Sequence, residues 1–138
     1  MLLLLFLAAC TVKPEPIVFG KDQCSFCKMT IMDRRFGGEI VTKKGKVFKF
    51  DDAHCLALFM EQRVVELPDV AKTLFVDYNG SDTFIEVKDV EFAVGSALKS
   101  PMGSNAAAFP NKAAASLKAE EIGGKETNWA TLYNILIK

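Results

Sequence analysis

Several features that mark common protein classes are missing from this sequence. Positive and negative charges balance at 17 each, and lysine and arginine form no long run, so the basic surface typical of a nucleic-acid binder is absent. The sequence has no glycine-rich phosphate loop, no Gly-x-Ser-x-Gly turn and no His-Glu-x-x-His pair. We therefore expect a protein that is not an enzyme and does not bind nucleic acid.

The apolar run over residues 2–9 is too short to span a bilayer, which needs about 20 apolar residues. It closes on two alanines and Cys10, a pattern typical of an export signal that is cut before a cysteine to be lipidated. We predict a signal peptide over residues 1–9 and a lipidated, proline-bearing tether over residues 10–18. The protein would then be exported, anchored to a membrane by lipid on Cys10, and facing the periplasm.

Cysteine is scarce, and its number is informative. With Cys10 lipidated, only Cys24, Cys27 and Cys55 remain as thiols. An odd number of thiols in an exported protein cannot pair fully within the chain. This count favours a metal site or a reactive thiol.

Hydrophobic patterning predicts an α+β fold, in which duplicated ββαβ units pack as one compact domain with a short C-terminal helix. The domain would occupy residues 19–138, with the first unit at about 36–80 and the second at about 88–130. Asp51 and Asp52 offer a cap for the first helix, and Asn111 caps the second. The predicted strands are 39–42, 46–50, 73–78, 91–95, 105–109 and 125–129, and the closing helix is 131–138.

The sequence around Cys24, Cys27 and Met29 places three sulfur atoms within six residues. A Cys-x-x-Cys turn brings two thiols to one side of a loop, and an extended chain would place Met29 on the face of Cys27. Thiolate with thioether favours Cu(I) over hard ions and over zinc. Alternatively, the two cysteines form a redox-active or structural disulfide and Met29 fills the core.

Three further residues elsewhere in the sequence are candidate metal ligands. Met102 lies in a loop bounded by proline and glycine, where it could supply a thioether or pack beneath the loop. His54 and Cys55 are neighbours on the predicted first helix, so they point about 100° apart and should not both bind one ion. Cys55 is either an additional ligand or a core residue, and His54 either a lone nitrogen donor or a surface or cap residue.

Several separated motifs resemble the pattern of the NosL family, the nitrous oxide reductase accessory lipoproteins. The resemblance extends from about residue 19 to residue 129 in matching order. The motifs that carry it are Cys24-Ser25-Phe26-Cys27-Lys28-Met29, Phe50-Asp51-Asp52 followed by Cys55, Val94-Gly95-Ser96, Pro101-Met102-Gly103-Ser104 and Ala108-Phe109.

The resemblance implies a periplasm-facing chaperone that binds Cu(I) and delivers it for assembly of the copper–sulfide centre of nitrous oxide reductase. By position, it assigns metal binding to Cys27, Met29 and Met102. Cys24 matches only those members that have a double cysteine and would be an added or exchange ligand, and Cys55 lies at a recurring family position. The family's duplicated ββαβ arrangement agrees with the repeat in the sequence. The alternative function is an exported thiol-disulfide or heavy-metal-handling lipoprotein that uses Cys24 and Cys27.

Overall fold

The computed structural model describes residues 12–138, and it confirms the predicted α+β class. The predicted signal peptide and Cys10 lie outside the described residues. Among residues 12–138, no helix has the length and apolar character needed to cross a bilayer. The elements follow in the order β1 (Gly38–Thr42), β2 (Val47–Phe50), α1 (Ala53–Glu61), β3 (Val70–Asp77), β4 (Gly80–Glu86), β5 (Glu91–Val94), β6 (Ala106–Phe109), α2 (Lys112–Glu121), β7 (Lys125–Asn128) and α3 (Trp129–Leu136).

The first unit is a hairpin, a helix and a returning strand. β1 and β2 pair antiparallel around a turn in which Gly45 has a φ of +86°, a conformation that glycine adopts without steric cost. The Asp52 side chain caps α1, and β3 then pairs with the free edge of β1. The strand order in this unit is therefore β2-β1-β3.

The second unit repeats this topology. β5 pairs antiparallel with β6 on one side and with β7 on the other, so its order is β6-β5-β7. Asn111 caps α2 between β6 and β7, as Asp52 caps α1 between β2 and β3. The units join where β3 runs parallel to β6, with Asp77 opposite Ala108. The predicted duplication is confirmed at the level of topology, whereas the domain limits stay a prediction.

One strand, β4, is absent from the sequence prediction. Asn79 and Gly80 were expected to end the first unit, but they form a tight turn that leads into β4, which pairs back on β3. β4 begins with Gly80, Ser81 and Asp82, and because glycine and aspartate are depleted in strands, its strand signal is weak. Its pairing depends on the neighbouring strand more than on its own pattern.

The sheet carries helices on both faces. On β5, Phe92 packs with residues of α1 and α3, whereas the next residue, Ala93, packs with α2 on the opposite face. The Trp129 ring, at the start of α3, lies 4.8 Å from that of Phe75 on β3 and 6.0 Å from that of Phe92. One aromatic cluster therefore connects both units.

Candidate metal centre

The Cys-x-x-Cys segment folds into a tight loop before the first unit. The Cys24 N–H donates to the Met29 carbonyl at 2.8 Å, and the Lys28 N–H donates to the Cys24 carbonyl at 3.0 Å. Lys28 has a φ of +67°, which turns the chain back so that Gln23 and Thr30 pair. Both thiols consequently emerge from one small closed loop.

Two hydrogen bonds attach this loop to the end of β2. The Ser25 N–H donates to the Lys49 carbonyl at 2.7 Å, and the Lys49 N–H donates to the Ser25 hydroxyl oxygen at 3.2 Å. Since α1 begins shortly after β2 ends, the loop lies beside the first turn of that helix. Cys55 is located in that turn, with its N–H donating to Asp52.

The three cysteines therefore converge from two separate segments. The Sγ atoms of Cys24, Cys27 and Cys55 all lie within 4.8 Å of one another, and within residues 12–138 none of the three forms a disulfide. Cys24 and Cys55 are buried, whereas Cys27 is partly exposed. This group, which we call the thiol cluster, could hold one soft metal ion, with Cys27 at its solvent side.

Hydrogen bonds to sulfur favour a thiolate at Cys24. The Cys55 thiol donates to Cys24, and this bond lowers the pKa of Cys24 to about 5 despite its burial, assisted by the N–H groups of Cys27, Asp51 and Phe26. The same contact, together with burial, raises the pKa of Cys55. A thiolate is the form of cysteine that binds a metal cation, so the lowered pKa of Cys24 favours metal binding at the cluster.

Asp51 adds a carboxyl group at the edge of the cluster. The Cys27 thiol donates to the Asp51 Oδ2 atom at 3.9 Å, and burial raises the pKa of Cys27. Asp51 is itself buried, and burial, followed by the negative charge of Cys24, raises its pKa to about 6. The sequence prediction treated Asp51 only as a helix cap, a role that Asp52 alone fulfils.

The two candidate methionines differ in their exposure to solvent. The Met29 N–H donates to the Cys27 sulfur, while the residue is 59% exposed, so its flexible side chain is not held by packing. Met102 is partly buried and packs against the core group that contains Cys24 and Cys55. Binding of either thioether to a metal stays a prediction.

His54 contacts the backbone of the Met102 loop and does not belong to the thiol cluster. Its Nδ1 atom lies 2.9 Å from the Met102 carbonyl oxygen. The group of close ligand atoms includes Cys55 and not His54. Burial of Cys55 and its place in the cluster are compatible, so the two sequence interpretations of this residue do not exclude each other.

The fold and the site together define a class of protein: a duplicated ββαβ domain that brings three thiols to the edge of its core. The sequence model of the NosL family matches residues 17–135, and the chain belongs to the NosL family. The resemblance identified in the sequence is therefore confirmed.

A solved structure supports the same fold. The chain is similar to the crystal structure of the copper chaperone NosL from Shewanella denitrificans, with a TM-score of 0.73 and 24% sequence identity. The match covers 87% of this chain and 95% of that chain. No curated protein sequence matches this chain significantly.

Proposed function

We propose that this protein is an exported, membrane-anchored Cu(I) chaperone that delivers copper for assembly of the copper–sulfide centre of nitrous oxide reductase. The observation that carries the proposal is the convergence of Cys24, Cys27 and Cys55 within 4.8 Å. The similar structure from Shewanella denitrificans is described as a copper chaperone, and this description supports the choice of metal. The lipidation pattern at Cys10 supports the anchor, and the family supports the acceptor.

The donor set suits Cu(I) better than zinc. Structural zinc sites are almost always closed by four ligands, usually cysteine, histidine or carboxylate. Within residues 12–138, only the three cysteines have ligand atoms that all lie close to one another. The Asp51 carboxyl group contacts Cys27 at the edge of this group, and the additional candidates are the thioethers of Met29 and Met102. Soft thiolate and thioether ligands select Cu(I). A partly exposed Cys27 gives an acceptor protein access to the ion while Cys24 and Cys55 still hold it.

Competitive titration tests this proposal. The reduced protein is titrated with Cu(I) against a chelator of known affinity, alongside Met29→Leu, Met102→Leu and the double variant Cys27→Ser/Met29→Leu. We expect one tight equivalent, weakened about tenfold or more by either single change and abolished by the double variant. Circular dichroism should show an unchanged fold, since Cys27 and Met29 lie at the surface side of the site. Affinity unchanged in the double variant would refute the assignment.

A thiol-disulfide role is the second candidate, because the Cys24 pKa is lowered to about 5 beside two other thiols. Reactive cysteines combine a low pKa with access to solvent. Here those properties are divided, since Cys24 is buried and the accessible Cys27 has a raised pKa. This division favours metal binding. A redox role would require both cysteines and tolerate Met29→Leu, whereas a copper role loses affinity on that change.

A further inference from the structure

Asp52 connects the helix that carries Cys55 to the loop that carries Met102. It is fully buried, and its Oδ1 atom accepts from the N–H groups of His54 at 3.0 Å and Cys55 at 3.2 Å. Its Oδ2 atom accepts three more hydrogen bonds, all from a loop about 50 residues further along the chain. Their donors are the Ser100 hydroxyl at 2.7 Å, the Met102 N–H at 3.1 Å and the Ser104 N–H at 3.2 Å.

The loop is also closed by contacts of its own. The Ser100 hydroxyl lies 3.0 Å from that of Ser104 and accepts from the Asn105 N–H at 2.8 Å. The Asn105 side chain accepts in turn from the Ser100 N–H at 3.1 Å. The loop is thus a preformed unit, and the Asp52 Oδ2 atom and the His54 ring are its polar attachments to the first helix.

The second unit shows that a helix cap alone does not require this carboxylate. Asn111 occupies the position equivalent to Asp52, and its Oδ1 atom caps α2 by accepting from the Ala114 N–H at 2.9 Å. A single amide oxygen is therefore sufficient for the cap. The second oxygen of Asp52 is not needed for capping, and among residues 12–138 every hydrogen bond to it comes from the Met102 loop.

We propose that Asp52 is a positioning residue that holds Met102 beside the thiol cluster, so that this thioether can contribute to the metal site. This inference rests on the proposed Cu(I) function. Charge-assisted hydrogen bonds from backbone N–H groups set the position of the loop, and residues that orient ligands in this way commonly influence metal affinity about 10- to 100-fold.

Asp52→Asn distinguishes the two roles of this side chain, which are to cap α1 and to attach the Met102 loop. The amide oxygen can keep the cap on α1, as Asn111 does on α2, while the amide nitrogen cannot accept from Met102 or Ser104. Asn111→Asp is the matched control, because it makes the reverse exchange at the equivalent cap. Ser100→Ala is a second variant that removes one Oδ2 contact and keeps the carboxylate, should Asp52→Asn fail to fold.

The test is a double-mutant cycle on the reduced protein. Cu(I) affinity is measured for wild type, Asp52→Asn, Met102→Leu and the double variant, and X-ray absorption at the copper edge counts sulfur neighbours. We expect Asp52→Asn to weaken binding about tenfold, to lose the same sulfur neighbour as Met102→Leu, and to have no further effect once Met102 is replaced. Asn111→Asp should leave affinity unchanged. Additive effects, or an unaltered sulfur count in Asp52→Asn, would overturn the positioning role.

A copper-free measurement keeps this inference distinct from the proposed function. Amide hydrogen exchange in the metal-free protein should become faster over residues 100–105 in Asp52→Asn, with exchange in α1 unchanged. Unchanged exchange in the loop contradicts the positioning role whether or not wild type binds Cu(I). Absence of Cu(I) binding by wild type, with faster loop exchange in the variant, would refute the chaperone function and leave the loop attachment as described.

Discussion

Among the described residues, the buried carboxyl groups of Asp52 and Glu39 differ in how many hydrogen bonds they accept. Asp52 accepts five hydrogen bonds. Glu39 is equally buried, but its Oε1 atom accepts only from the Glu15 N–H at 3.3 Å, and its Oε2 atom has no partner within residues 12–138. Burial raises the pKa of Glu39 to about 7, opposed by the Glu15 N–H and by the charge of Lys49.

Glu39→Gln should therefore stabilise the protein only at high pH. The folded pKa of about 7 lies above the ordinary value of 4.5, so the folded state binds more protons between these values and stability falls as pH rises through them. Above pH 7 the loss is complete. We expect the variant to increase the free energy of unfolding by about 3 kcal/mol at pH 8 and to change it little at pH 4.

Urea denaturation at pH 4, 6 and 8 measures this difference. Glu66→Gln is the control, because Glu66 is exposed and should show no comparable gain at pH 8. An equal effect of Glu39→Gln at all three pH values would contradict the interpretation of Glu39 as a buried, titrating carboxyl group.

At the residue scale, the site was only partly predictable. The spacing of Cys24 and Cys27 indicates a shared loop, and that loop forms. The contact between Asp51 and Cys27 was not predicted, because their distance depends on how the loop attaches to β2. Asp52 was predicted as a cap, but the sequence contains no signal that its second oxygen meets residues 100–104.

At the scale of elements, the sequence predicted correctly the features that depend on residues close together in the chain. The hairpin between β1 and β2 and the caps at Asp52 and Asn111 were predicted from turn and capping residues. Strand β7 ends one residue earlier than predicted, at Asn128, which caps α3 by accepting from the Thr131 N–H. Strand β4 was missed because its pairing is decided by β3.

The junction between α2 and β7 offers a test at this scale. A Cβ atom on Gly124 would overlap the backbone carbonyl oxygen of Val94, which cannot move without disturbing β5. Gly124→Ala should therefore lower the free energy of unfolding by about 1–3 kcal/mol, as overpacking does elsewhere. Urea denaturation measures the loss.

Gly80→Ala is the matched control, because the nearest atom to its added Cβ would be the Thr83 hydroxyl oxygen at 3.5 Å, an ordinary contact. We expect it to change stability by less than about 0.5 kcal/mol. An equal loss of stability in both variants would show that replacing either glycine destabilises the protein, and that the close approach of Gly124 to Val94 is not the cause.

At the scale of the whole molecule, the two units share one core. Phe75 on β3 packs edge-on against Phe92 on β5, with ring centroids 5.0 Å apart, and Trp129 contacts both rings. Because these residues belong to different units, neither unit completes its core alone. We expect one cooperative unfolding transition, as is usual for single domains of this size.

Phe75→Leu should lower the free energy of unfolding by about 1–2 kcal/mol while preserving that single transition. Trp129 is the only tryptophan, so its fluorescence reports on the shared core, and far-UV circular dichroism reports on the whole chain. Both probes should shift to the same lower urea midpoint.

Leu117→Ala provides the control, because Leu117 is 69% exposed and its truncation should leave the midpoint nearly unchanged. Separate transitions for fluorescence and circular dichroism would show that the units unfold independently, contrary to a shared core.

The sequence by itself determined the α+β class, the repeated order of strands and helices, the loop that joins Cys24 to Cys27, and the family. These features arise from hydrophobic period, capping residues and short motifs, all of which act over a few neighbouring residues. Only the tertiary structure decided that Cys55 meets the cysteine loop and that Asp52 holds the Met102 loop. These contacts join segments about 30 to 50 residues apart, and chain packing alone sets such distances.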